Sequence, residues 1–87
     1  MPYVDEATRK KYRKEADAIR RFSNLDNKGV LEYLIFLLMA RFMSEKEKRY
    51  SNLHDTVYAA EHCADEFRRR FLDKREDEAL EKNGDVY

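Results

Sequence analysis

Between Gly29 and Met43 the chain reads GVLEYLIFLLMARFM, and from Val30 onward twelve of fourteen residues are apolar or aromatic. Only Glu32 and Arg41 interrupt the run. A helix of this composition has no polar side to give to water. One face carries Val30, Tyr33 with Leu34, and Leu37; the next carries Leu31, Ile35, Leu38 and Phe42; a third carries Glu32, Phe36, Met39 and Met43. Two neighbouring helices cover two such faces. The third stays in water unless another subunit covers it, and burying a large apolar side chain is worth about 1.5–3 kcal/mol. Phe36, Met39 and Met43 therefore predict a homo-oligomer, most simply a twofold dimer. The competing solution is a long third helix that bends back over that face within one chain.

The remaining segments fall into place on either side of this run. Charged residues make up 41% of the chain, with two glycines and one proline, which favours long helices over strands. No segment alternates with the period of a strand. From about Asp5 to Phe22, the residues Tyr12, Ala16, Ile19 and Phe22 recur at helical spacing and leave a basic outer surface. Asp5 and Glu6 suit the positive end of that helix. SNLDNK, residues 23–28, is a turn in which Asp26 or Asn27 caps the second helix. After the charged connector SEKEK, Ser51 or Asn52 caps the third.

Leu53, Val57, Ala60, Ala64, Phe67 and Phe71 then form a heptad seam whose two alanines let another backbone come close. Past Leu72 the sequence DKREDEALEK is helix-prone but charged, so the helix either stops near Asp73 or continues to about Lys82. Asn83-Gly84 is a stop signal and residues 83–87 form a tail. The expected architecture is one all-α domain, a small three-helix bundle with helices at about 5–22, 28–43 and 52–72, assembled as a homo-oligomer.

Several function classes are disfavoured. Eighteen basic and eighteen acidic residues give zero formal charge, so nothing global draws the chain to nucleic acid or an anionic membrane. The distribution is uneven: residues 1–22 hold seven basic and four acidic groups, residues 51–87 six and ten. The apolar run is shorter than the roughly twenty residues a membrane span needs, and the N-terminus has no apolar signal segment. Cys63 is the only cysteine, which fits a reducing cytoplasm and predicts a buried small hydrophobe beside the seam. There is no Gly-rich phosphate loop.

Chemistry-bearing side chains gather on the third helix. One face reads His54, Tyr58, Glu61, Asp65, Arg68; another reads Asp55, Ala59, His62, Glu66, Arg69. Carboxylates one turn apart are metal-ligand candidates, and a hydrolase using Glu61, Asp65 and Glu66 is one reading. Such sites draw acids from two helices, and the second helix offers only Glu32. Surface ion pairing is the alternative for these groups. Arg68, Arg69 and Arg70 point in three directions, so at most two serve one anion; guanidinium forks match phosphates and carboxylates. Six tyrosines supply flat faces and hydroxyls.

Glu61, Glu66-Phe67, Arg69-Arg70, Glu76-Asp77 and the closing Asn83-Gly84-Asp85-Val86-Tyr87 resemble a family of small phage and prophage proteins that end in Glu-Asn-Gly-Asp-Val-Tyr. Met1-Pro2-Tyr3-Val4 and Gly29-x-Leu31-x-Tyr33 are also similar. The chain departs from that pattern at Arg68, at Lys74-Arg75 and at Glu32, and Cys63 lies one position late. The resemblance implies a small, helical, oligomeric phage accessory protein acting in the host cytoplasm. Unrelated phage proteins of that description are sponges that sequester a nucleotide immune signal, an ADP-ribose derivative or a cyclic oligonucleotide, without turnover.

On that reading Arg69 and Arg70 take phosphates, Glu61 and Glu66 take ribose or base donors, and Tyr3, Tyr33 or Tyr87 stacks on the base. Asn83 and Asp85 belong to a tail that folds over the site. Neither a cofactor nor a metal is expected. A protein-interaction module working through the apolar face of the second helix is the other principal reading.

Overall fold

The computed structural model describes residues 2–86. The chain is all-helical, with no strand among those residues. Helix α1 spans Glu6–Lys11, α2 Arg13–Arg20, α3 Lys28–Met43, α4 Tyr50–Phe67 and α5 Asp73–Asn83, with a π-helical turn, Arg68–Leu72, joining α4 to α5.

Local chemistry accounts for most of these boundaries. Asp5 caps α1 by accepting from the Thr8 N–H at 2.8 Å. The single helix expected over residues 5–22 is broken at Tyr12 (φ −106°, ψ 19°). Around Tyr12 the like-charged i, i+4 pairs Arg9–Arg13 and Lys10–Lys14 weaken a continuous helix. At the start of α3, Asn27 Oδ1 accepts from the Gly29 N–H at 2.7 Å, and a Cβ on residue 29 would stand 3.1 Å from that oxygen. Asn27 is thus the cap, and Gly29 lets it close.

Helix α4 begins at Tyr50, ahead of both expected caps, Ser51 and Asn52. Arg49 is the extended residue at its start, and Asn52 donates from its side chain to the Glu47 carbonyl at 3.0 Å, bracing the connector. Helix α4 does not stop at residue 72. The Asp73 N–H donates to the Arg68 carbonyl, a five-residue reach that widens one turn and lets the helix run on to Asn83. Gly84, with φ 86°, ends it; its N–H donates to the Leu80 carbonyl at 2.8 Å.

Helix α3 packs along α4 as an antiparallel hairpin; the other paired elements among the described residues, α1 with α2 and the π-helical turn with α4 and α5, follow directly on one another in the chain. Helices α1 and α2 do not lie on it, so one chain forms a two-helix hairpin rather than the expected three-helix bundle. The reason lies in the narrow stripe of the N-terminal segment: Tyr12, Ile19 and Phe22 all remain exposed.

No apolar residue is fully buried among those described, and the one buried side chain is Thr56, whose hydroxyl donates to the Asn52 carbonyl at 2.8 Å. On α3, Phe36 is 67% exposed, Leu38 65% and Tyr33 61%. Met39 and Met43, expected to share the open face with Phe36, are half-buried. The heptad seam is not enclosed: Leu53, Val57, Phe67 and Phe71 are exposed and Ala60 is half-buried, and Cys63, expected inside, is exposed as well.

The accessible surface is 8458 Å². A folded monomer of this mass exposes about 5,400 Å². The radius of gyration is 16.8 Å, against about 12 Å for a compact chain of this length. Among the described residues no helix is long and apolar enough to cross a membrane.

Replacing Asn27 with Ala removes the side-chain acceptor at the start of α3. It should lower unfolding free energy by about 1 kcal/mol, read as a fall in the urea midpoint at unchanged slope.

Candidate functional site

On an α-helix, residues three and four positions ahead both lean over a given side chain. Glu66, near the end of α4, is therefore within reach of Arg69 and Arg70, and the π-helical turn that starts at Arg68 carries both arginines. Arg69 grips Glu66 with two bonds, Nη2 to Oε1 at 2.6 Å and Nε to Oε2 at 3.2 Å. Arg70 Nε donates to the same Oε1 at 2.9 Å. The Glu66 side chain is only 14% exposed, the most covered acidic group among the ion pairs.

The fourth member comes from the other end of the chain. The extended segment ahead of α1 crosses the arginine turn and places the Tyr3 hydroxyl between the charged groups. It donates to Glu66 Oε1 and accepts from Arg70 Nη2 at 2.9 Å and Arg69 Nη2 at 3.2 Å. The Arg70 guanidinium also lies over the Tyr3 ring, 5.4 Å from its centre. Arg9 holds the strap by donating from Nη1 to the Val4 carbonyl at 2.8 Å.

The charges reinforce one another. Hydrogen bonds from Arg69 and from Tyr3 hold the Glu66 carboxyl down at about 2, from an ordinary 4.5. Glu66 and then Tyr3 raise Arg69, while Tyr3 and then Glu66 raise Arg70, so both guanidinium groups are locked in the charged form. Two cations on one anion leave the cluster with a net positive charge. The Nη1 group of each arginine stays outside the cluster's own hydrogen bonds. Beside the clamp lies an open depression of about 310 Å³, lined by Pro2, Tyr3, Cys63, Glu66, Phe67, Arg70 and Phe71. A cationic fork next to an aromatic wall is suited to an anion that carries a flat ring.

Of the residues singled out from sequence, Tyr3, Glu66, Arg69 and Arg70 meet here. Tyr33 belongs to α3 and is not part of the clamp or of the depression's lining. Glu61 is exposed on α4, and outside the cluster as well. Asn83 and Asp85 line a different depression, with Leu80 and Val86, at the far end of α5. Thirteen residues of helix separate Asn83 from Arg70, about 20 Å along the axis. The tail thus does not fold over the arginines: Gly84 turns the chain, but Asp85 and Val86 stay at the end of α5. Tyr87 lies outside the described residues.

The carboxylates considered for a hydrolase are engaged differently. Asp65 pairs with Arg68 at 3.1 Å and Glu66 with Arg69 and Arg70. Among the described residues no three His, Cys, Asp or Glu side chains converge on a possible metal position. His54 and His62 instead alternate with Tyr50 and Tyr58 in a ladder of rings along α4, with centroids 4.3, 4.9 and 6.2 Å apart.

Two features went unread in the sequence: the π-helical turn, which has no local signature here, and the role of Phe67 and Phe71 as a wall. Their spacing of four was visible, but it reads equally as a core seam.

The chain belongs to the family described as Domain of unknown function (DUF6899), whose model matches residues 1–86. Neither the curated proteins nor the solved structures contain a match to it.

The depressed Glu66 carboxyl has a direct consequence for stability. A carboxyl held below its unfolded value stabilises the fold fully above pH 4.5 and loses that contribution as pH falls toward 2. Urea titrations at pH 7, 4.5, 3 and 2 should show stability dropping across the last three, with the drop reduced in Glu66→Gln.

Proposed function

We propose that this chain is a non-catalytic binding protein for a small phosphate-bearing nucleotide, a phage-encoded sponge that sequesters an immune signal of the ADP-ribose or cyclic-oligonucleotide type in the host cytoplasm. The observation that carries this reading is the convergence of Arg69, Arg70 and Tyr3 on one carboxylate beside the Phe67–Phe71 wall. Glu66 shows the kind of group the two forks hold, and a phosphate presents oxygens of the same kind. A phosphate bridging the free Nη1 groups neutralises the residual charge, and the Tyr3 ring and the phenylalanines offer the base a flat apolar surface.

The reading includes association into a closed homo-oligomer. A single hairpin leaves its apolar seam and most of α3 in water, and a helical bundle is completed when copies supply each other's missing layers. Neither nucleic acid nor a membrane is a partner in this account.

The exposed side chains of α3 support a second reading, a module that binds a host protein through the face that carries Tyr33 and Phe36. The two separate cleanly. Purified protein is mixed with ADP-ribose, its cyclic and histidine-conjugated derivatives, and cyclic dinucleotides, and its melting temperature is followed.

A bound nucleotide at a hundredfold its dissociation constant contributes about 2.7 kcal/mol, a rise of roughly 10 °C or more in a domain this small. The ligand released by heat should be chemically intact, and chelator should change nothing. The Arg69→Ala/Arg70→Ala pair should weaken binding at least tenfold. If no nucleotide moves the melting temperature, the sponge reading falls and the interaction module takes its place.

A further inference from the structure

We infer that a second copy of this chain seats on the Phe67–Phe71 wall and the open side of α3, and by doing so closes the arginine clamp into an enclosed site. What the site holds rests on the ligand-binding reading above; that a second copy closes it stands on the surface itself.

The chain exposes roughly 3,000 Å² more than a folded monomer of its mass. That excess is comparable with what each subunit gives to the larger obligate interfaces. Large apolar side chains are exposed along the chain, among them Tyr33 and Phe36 on one side of α3, Leu38 on another, and Phe67 and Phe71, at the end of α4 and within the π-helical turn. The two phenylalanine rings lean on each other at 4.8 Å and are 64% and 55% exposed. They are also two of the residues that line the depression beside Tyr3 and Arg70. The same surface is thus both the part that needs cover and the wall of the site. Whatever hides the phenylalanines becomes the roof of the clamp.

Charge argues that the occupant is this chain itself. Residues 1–22 carry seven basic and four acidic groups, whereas residues 51–87 carry six and ten, and the total is zero. The two halves are complementary, so a twofold pairing can set each N-terminal segment against the other copy's C-terminal helix. Helices α1 and α2 are free to do this, because neither packs on its own hairpin. Within one chain the depression is shallow and wet, and water competes for both guanidinium groups. Once roofed, the same groups act in a lower dielectric and hold an anion more tightly. Association and anion binding therefore strengthen each other.

Cys63 reports on this without any ligand, because it lines the depression and is exposed in the single chain. Light scattering of the wild type should give a multiple of 10.5 kDa. Alkylation of Cys63 by iodoacetamide, followed by mass spectrometry, should be at least tenfold slower in the native protein than in urea. Phe36→Glu, on α3 and outside the depression, should produce single chains in which Cys63 reacts quickly and ADP-ribose binds at least tenfold more weakly.

A wild-type mass of one chain overturns the inference, and so does an oligomer in which Cys63 reacts as fast as in urea. If Phe36→Glu loses its helical circular dichroism, the wild-type comparison alone decides. Shielded Cys63 with no nucleotide bound leaves the closure standing and removes the ligand reading. Tight ADP-ribose binding with a freely reacting Cys63 does the reverse.

Discussion

The apolar side chains of α3 outnumber the surfaces that α4 can lay against them, and this mismatch governs the rest of the molecule. A helix that is greasy on every side is stable in water only when something encloses it. One antiparallel neighbour covers part of its circumference, while Phe36, Leu38 and Tyr33 remain open. The N-terminal helices offer little help, because their apolar stripe is narrow and interrupted at Tyr12. Fixing a backbone costs about 1–2 kcal/mol per residue, and a hairpin with no fully buried apolar side chain has little to set against it. The exposed surface is a property of the single chain, and it directs attention to what copies of it do together.

The clamp belongs to a different class of interaction. Glu66, Arg69 and Arg70 are neighbours on one helix and would pair weakly as an ordinary surface cluster. Tyr3 changes their character by shielding one side and taking hydrogen bonds from both guanidinium groups. It also ties the N-terminal segment to the junction of α4 and the π-helical turn, more than sixty residues on. The cost is that both arginines are already committed to an internal carboxylate. Glu66 and Tyr3 together take up the Nε and Nη2 donors of both arginines.

The π-helical turn connects these two parts. By widening the helix over Arg68–Leu72 it presents Arg69 and Arg70 next to Phe67 and Phe71. It also rotates α5 relative to the register of the seam before it. The acidic α5 is therefore not a simple continuation of the heptad face, and its few apolar side chains, Ala79 and Leu80, form their own depression with the tail. Turns of this type recur at functional positions because they sacrifice regular hydrogen bonding to aim side chains.

Much of the molecule was legible from residue order, because the forces involved are local. The helical character followed from composition and period, the start of α3 from the capping power of Asn27, and the end of α5 from Asn83-Gly84. The arginine pair stood out because helical spacing alone puts Arg69 and Arg70 over Glu66. Other features were decided only when the chain folded. Tyr3 had no sequence neighbour to announce it, and its place depends on the course of the extended strap. Asn83 and Asp85 were expected beside the arginines, and a helix that continues through one widened turn carries them away from the clamp. Cys63 and the seam read as core because periodicity shows which residues share a face without showing what covers it. Sequence determined which surfaces this chain has; tertiary structure decided which of them meet, since contact between distant segments depends on where the backbone travels.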